Sequence, residues 1–136
     1  MKKFLTAVLI VVGLLTAVVV AAIQTFDGNG RYVMSEFETE DIARQRAIQK
    51  AKENAQDKAA VYVKSFCQAN GIDLTDDEIS AVVHNTIIVD DVQLKQEAAD
   101  INGERVVIWT ATVKATIDTD SIFDFIARAE KARHND

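Results

Sequence analysis

Residues 43–59 read ARQRAIQKAKENAQDKA, with alanine at every fourth position from Ala43 to Ala59 and charged or amide side chains in most of the gaps. Alanine is the best helix former, and a four-residue step drifts about 40° per repeat round a helix. Ala43, Ala47, Ala51, Ala55 and Ala59 therefore span an arc of about 160°, and Ile48, Tyr62, Phe66 and Ala69 fall in the same arc. Arg46, Lys50, Glu53, Gln56, Asp57 and Lys64 lie outside it, while Arg44, Asn54 and Lys58 interrupt its edges. A ridge of methyl groups lets a helix approach another surface closely along its length. The segment is too charged for a seam between transmembrane helices, so the ridge is a packing face.

The boundaries of this helix are marked. Thr39 supplies an N-cap, with Glu40 and Asp41 in the positive first turn, and Asn70-Gly71 is a stop signal. The helix would be about 45 Å long. Upstream, Arg31–Phe37 (RYVMSEF) has the aromatic and branched content of a strand. Residues 24–30 (QTFDGNG) read as a short polar linker whose glycines allow a tight turn.

Downstream, Thr75-Asp76-Asp77-Glu78 has capping-box spacing and should open a short helix burying Ile79, Val82 and Val83. A long hairpin follows, turning at Asn102-Gly103, where a type I′ turn needs positive φ at both central residues. In its second strand Val107, Trp109, Ala111, Val113, Ala115 and Ile117 share one face, and Thr110, Thr112, Lys114 and Thr116 the other. That alternation predicts a sheet with one covered and one wetter side. Pairing Ile101 with Glu104 sets Leu94 against Ala111, Val92 against Val113 and Ile88 against Ile117. It also sets Asp90 against Ala115 on the covered face, which calls for a bulge near Asp90-Asp91. The chain closes with an amphipathic helix carrying Ile122, Phe123, Phe125, Ile126 and Ala129 at helical spacing. The expected fold is therefore α+β in two layers: a long alanine-ridged helix on an antiparallel sheet with a long hairpin, plus a C-terminal helix.

The chain has 136 residues, 49% hydrophobic and 26% charged, with five glycines and no proline. That is the composition of one compact domain, expected over residues 31–136, and not of a disordered chain. A net charge of −6 argues against nucleic acid as a partner. A single cysteine excludes an internal disulfide framework and a multi-cysteine zinc site.

Residues 1–23 stand apart. Lys2 and Lys3 precede an uncharged apolar run from Phe4 to Ile23. A basic stretch before such a run reads as an export signal, and twenty helical residues also cover about 30 Å of bilayer. Val20-Ala21-Ala22 would suit cleavage after Ala22, whereas the length of the run suits retention as a membrane anchor. Either way the lysines stay inside, and residues 24–136 are expected outside the cytoplasm, in the periplasm or at the cell surface. No cysteine follows the run for lipid attachment.

GNGRYV, a helix with alanines in four-residue steps, a short linker helix and a hairpin ending in VVIWTATVKATID resemble the LPP-type small surface lipoproteins. The layout over about residues 28–126 is also similar to the N-terminal domain of flagellar assembly protein T. The resemblance implies an exported, envelope-associated, non-enzymatic domain. This chain departs from the lipoproteins in lacking the acylated cysteine, and from the flagellar protein in lacking its further domains. No catalytic residue comes with the resemblance.

Few residues suggest chemistry. Cys67 and His84 are the one pair that could form a nucleophile and base. Cys67, well away from the alanine arc beside Ala60 and Val63, suits a small buried hydrophobe better. His84 suits a helix C-terminus. Asp118-Thr119-Asp120 begins like a calcium loop but puts Ile122 and Phe123 where a ligand and the glycine belong; its aspartates fit a helix cap. Asp27-Gly28-Asn29 fails as a calcium loop in the same way. Gly28-Asn29-Gly30 is followed by a strand and so cannot be a phosphate loop. No catalytic, cofactor or metal residue is assigned, and no cofactor is expected. The expected function is a non-catalytic envelope domain acting through contacts with an envelope protein or with itself. Val106 and Ile108, apolar on the threonine-and-lysine face, are the candidate self-association patch. The alternative is a small-ligand-binding or enzymatic domain with a pocket between helix and sheet.

Overall fold

The computed structural model describes residues 23–134. The elements run β1 (Ile23–Val33), α1 (Glu40–Ala69), α2 (Asp76–Thr86), β2 (Ile88–Ile101), β3 (Glu104–Asp118) and α3 (Thr119–His134). The export or anchor run from Phe4 lies outside the described residues, except for Ile23. Among those residues no helix is long and apolar enough to cross a membrane.

Thr39 caps α1, its hydroxyl accepting the Ile42 N–H at 3.3 Å. Asn70 closes it, donating from its backbone N–H to the Phe66 and Cys67 carbonyls, and Gly71 follows at φ +70°. α2 opens with the expected reciprocal box: the Thr75 hydroxyl accepts the Glu78 N–H, and the Glu78 carboxylate accepts the Thr75 N–H. At α3, the Asp118 carboxylate accepts the Asp120 N–H at 3.0 Å, the capping role expected of that aspartate.

The sheet is antiparallel in the order β1-β3-β2. Asn102 and Gly103 turn the hairpin at φ +53° and +83°. Ile101 pairs with Glu104 and Leu94 with Ala111, as expected. Beyond Gln93 the register shifts, so that Asp91 and Val92 together oppose Val113 and Asp91 takes φ +51°. Ile88 then faces Thr116 rather than Ile117, and Asp90 faces Lys114. The bulge has a physical purpose: it removes Asp90 from the covered face and puts Val89 opposite Ala115 in its place.

β1 differs from expectation. It begins at Ile23 and ends at Val33, so residues 24–30 are strand rather than linker, and the strand stops short of Phe37. Gly28 and Gly30 are buried beneath α1. A Cβ on Gly28 would lie 2.1 Å from the Ala51 carbonyl oxygen, and one on Gly30 would lie 2.2 Å from that of Ala47. The glycines serve close approach of two backbones and not a turn.

The alanine ridge packs as expected, but it does not end at Ala59. Ala43, Ala47, Ala51, Ala55, Ala59, Val63 and Cys67 are all buried. The first four meet Trp109, Ala111, Val113 and Ala115 of β3. The last three meet Ile79, Val82 and Val83 of α2, Ile117 of β3, and Ile122 and Ile126 of α3. An i+4 row is inclined about 26° to the helix axis, so over 45 Å it leaves the sheet and arrives on the helices. Tyr62 and Phe66 are consequently only half-buried and Ala69 is exposed, while Cys67, expected away from the face, lies on it.

Candidate functional site

The structure separates the two residues that could have formed a dyad. Cys67 is buried in the core between α1, α2 and α3, where burial pushes its thiol above the ordinary range and so away from the reactive thiolate. His84 is exposed in the last turn of α2 and lines a groove of about 480 Å³ with Gln56, Asp57, Ala60 and Ser80, which Cys67 does not reach. Among the described residues no cluster of histidine, cysteine and carboxylate side chains could hold a metal ion.

The densest polar cluster sits where β1 enters α1, and sequence reasoning missed it. Tyr32 donates to both Glu38 carboxylate oxygens at 2.6 and 2.7 Å and accepts from Arg46 at 2.6 Å. Arg46 also pairs with Glu38 at 2.8 Å, and Ser35 N–H donates to the same carboxylate at 2.9 Å. The Tyr32 hydroxyl, with help from Ser35 and Arg46, holds the Glu38 carboxyl below its ordinary value. The guanidinium of Arg46 and the ammonium of Lys50 lie 5.4 and 5.5 Å from the Tyr32 ring. The Tyr32 hydroxyl and the Glu38 carboxylate are satisfied by each other, by Ser35 and by Arg46, so the cluster acts as a clasp between strand and helix. Nearby, Arg44 lies 5.6 Å over Trp109, whose buried Nε1 has no acceptor among the described residues.

A second groove, of about 370 Å³, lies between the α1–α2 connection and α3, floored by Ile72, Leu74, Val82 and Phe125. Arg133 and Glu78 bridge its rim at 2.6 Å. Its best-placed charges are thus paired with each other.

Between α1 and the sheet the backbones touch at Gly28 and Gly30, which leaves no space there for a small molecule. The unfilled surface lies instead at β2. A helix is about 10–12 Å wide and strands stand about 4.8 Å apart, so α1 covers two strands, β1 and β3. β2 is exposed over nearly its whole length, including Val92 (45%), Leu94 (40%) and Ile88 (61%).

The two edges of the described sheet are also treated differently. On β1 the Lys58 ammonium donates to the Asp27 carbonyl at 2.6 Å, and the Asn29 N–H donates to the Asn54 side chain at 3.0 Å. Side chains of α1 thus occupy two outer backbone groups in the middle of β1. On β2 no side chain among the described residues does the same. The expected patch at Val106 and Ile108 is corrected: Ile108 is buried and Val106 half-buried. No protein-family model, curated protein or solved structure matches the chain.

Proposed function

We propose that this is a non-catalytic domain of the cell envelope, held outside the cytoplasm, which acts through protein–protein contacts made by β2. One observation carries the reading: β2 combines a backbone edge that nothing caps among the described residues with exposed Val92 and Leu94 on a strand that α1 does not cover. The outer edge of this 14-residue strand is unpaired among the described residues, and such an edge is a template for another chain. Lys2-Lys3 and the uncharged run from Phe4 support the address. The closed helix–sheet contact supports a surface role over a pocket.

The experiment is photo-crosslinking in intact cells from a reactive residue at Gln93, with Lys64 on exposed α1 as the comparison. A protein adduct of discrete mass is expected from Gln93 and not from Lys64. No adduct from any exposed position of β2 would overturn the reading.

A further inference from the structure

We propose that the partner of β2 is β2 of a second copy of this chain, paired antiparallel about Gln96. This rests on the reading of β2 as a protein-contact strand and names its occupant. Ile101 and Glu104 flank the two-residue turn, and such a flanking pair exchanges both ladder hydrogen bonds. Counting back, Ala99, Glu97, Lys95 and Gln93 direct their backbone groups to β3. Leu94, Gln96, Ala98 and Asp100 therefore direct theirs to the free edge.

The side chains then choose a register. Lys95 and Glu97 lie on the face away from α1, opposite Thr110 and Ile108, and pair within the strand at 3.0 Å. Centring a two-fold on Lys95 would oppose two lysines, and centring it on Glu97 would oppose two glutamates. Like charges directly opposite are destabilising. Centring it on Gln96 sets Lys95 against Glu97 of the other copy, twice, in a four-charge cluster of alternating sign. The same register puts Leu94 beside Ala98 of the other copy on the face toward α1. It also pairs edge-facing residues with edge-facing residues, as an antiparallel ladder requires.

Two further features fit. The bulge at Asp91-Val92, with Asp91 at φ +51°, breaks the regular edge just beyond this segment and so limits sliding of one strand along the other. The β1 edge carries its own opposite charges, Asp27 and Arg31, but Lys58 and Asn54 already hold its backbone between them, at Asp27 and Asn29. The resulting assembly is a six-stranded antiparallel sheet in the order β1-β3-β2-β2-β3-β1. Its two-fold axis runs perpendicular to the sheet, so both α1 helices sit on one face, in a closed and isologous arrangement.

The test uses the full chain in its cells. A pair exchanging ladder hydrogen bonds has Cα atoms about 5.5 Å apart, within the range a disulfide spans. Gln96→Cys, treated with an added oxidant, should give a reducible species of twice the monomer mass. Cys67 is buried and stays out of the reaction. Lys95→Glu in the same chain should abolish the dimer, and adding Glu97→Lys should restore it, because the exchange returns opposite charges to the same register. All three positions are exposed, and the thermal midpoint of each variant checks that folding is intact. No disulfide dimer, or one indifferent to Lys95→Glu in a folded protein, overturns self-pairing. An adduct of some other mass at Gln96→Cys also overturns it, while leaving β2 a contact strand for a different protein.

Discussion

The two halves of α1 obey the same four-residue rule and pack by different means. From Ala43 to Ala55 the ridge is methyl groups only, set against a strand whose inward positions include Gly28 and Gly30, so backbone meets backbone. From Ala59 to Cys67 the row grows to valine and cysteine, and it faces isoleucines and valines of α2, β3 and α3. One contact is specified by the absence of side chains and the other by filling space with them. The difference teaches where tolerance lies. A helical core can exchange one branched side chain for another with modest repacking, but a backbone contact has nothing that can move aside.

The largest effect is therefore expected at the glycines. In Gly28→Ala the new methyl would lie 2.1 Å from a main-chain oxygen and 2.8 Å from the Ala55 Cβ. Relief requires shifting α1 off the strand, so the loss should exceed about 3 kcal/mol, the upper end of ordinary overpacking. Gly30→Ala should behave alike. Gly71→Ala is the contrast: nothing lies within 4 Å of an added Cβ there, and its cost comes only from the strain of φ +70°, about 1–2 kcal/mol. Urea unfolding of the three variants measures the order. A Gly28→Ala protein as stable as Gly71→Ala would break the distinction between the two halves.

A smaller loss is expected from the ridge itself. Ala51 and Ala55 are fully buried against the strand, and leucine at either position overpacks that contact, typically at a cost of ~1–3 kcal/mol. Gln49→Ala, on the exposed side of the same helix, should stay within ~0.5 kcal/mol of the parent. Thermal unfolding of the three variants makes the comparison. Leucine variants that melt with the parent would mean the sheet half can widen, and the glycines would then need another explanation.

These contrasts show what could be read from the chain and what could not. The helix ends were legible because caps are local: Thr39, Thr75, Glu78 and Asn70 act on backbone groups within a few residues. The bulge was legible because one charged side chain, Asp90, broke an otherwise regular alternation. The strand over residues 24–30 was not, since glycine and asparagine lack strand propensity and only the helix lying above them explains their presence. The rotation of the buried row onto Val63 and Cys67 was also hidden, because sequence gives the step but not the surface beneath it. The exposure of β2 depends on how many strands one helix can cover, a property of the assembled layers. The Tyr32–Glu38–Arg46 clasp joins residues 14 apart through a turn, and no spacing rule announces it.

The elements packed on each half of α1 also carry one such carboxylate, and pH should separate the two. Glu38 ties the sheet half to β1 through Tyr32, and Glu78 ties α2 to Thr75 and to Arg133 of α3. Both carboxyls lie below their ordinary value of 4.5, Glu38 chiefly because the Tyr32 hydroxyl donates to it and Glu78 chiefly because the Thr75 N–H does. A carboxyl depressed in the folded protein binds its proton more tightly when unfolded, so its contribution is fully present above about 4.5. It is lost as pH falls through the lower, folded value. Glu38→Gln and Glu78→Gln should therefore each lower the thermal midpoint at pH 7, and the gap to the parent should close toward pH 3. Amide exchange should tell them apart: Glu38→Gln loosens residues near Thr39 at the start of α1, whereas Glu78→Gln loosens the first turn of α2 and leaves Ala43–Ala55 protected. A gap that persists unchanged at pH 3 would mean that the carboxylates act through packing rather than charge. Loosening of Ala43–Ala55 in Glu78→Gln would show that the two halves open together and that the contrast between them does not extend to their dynamics.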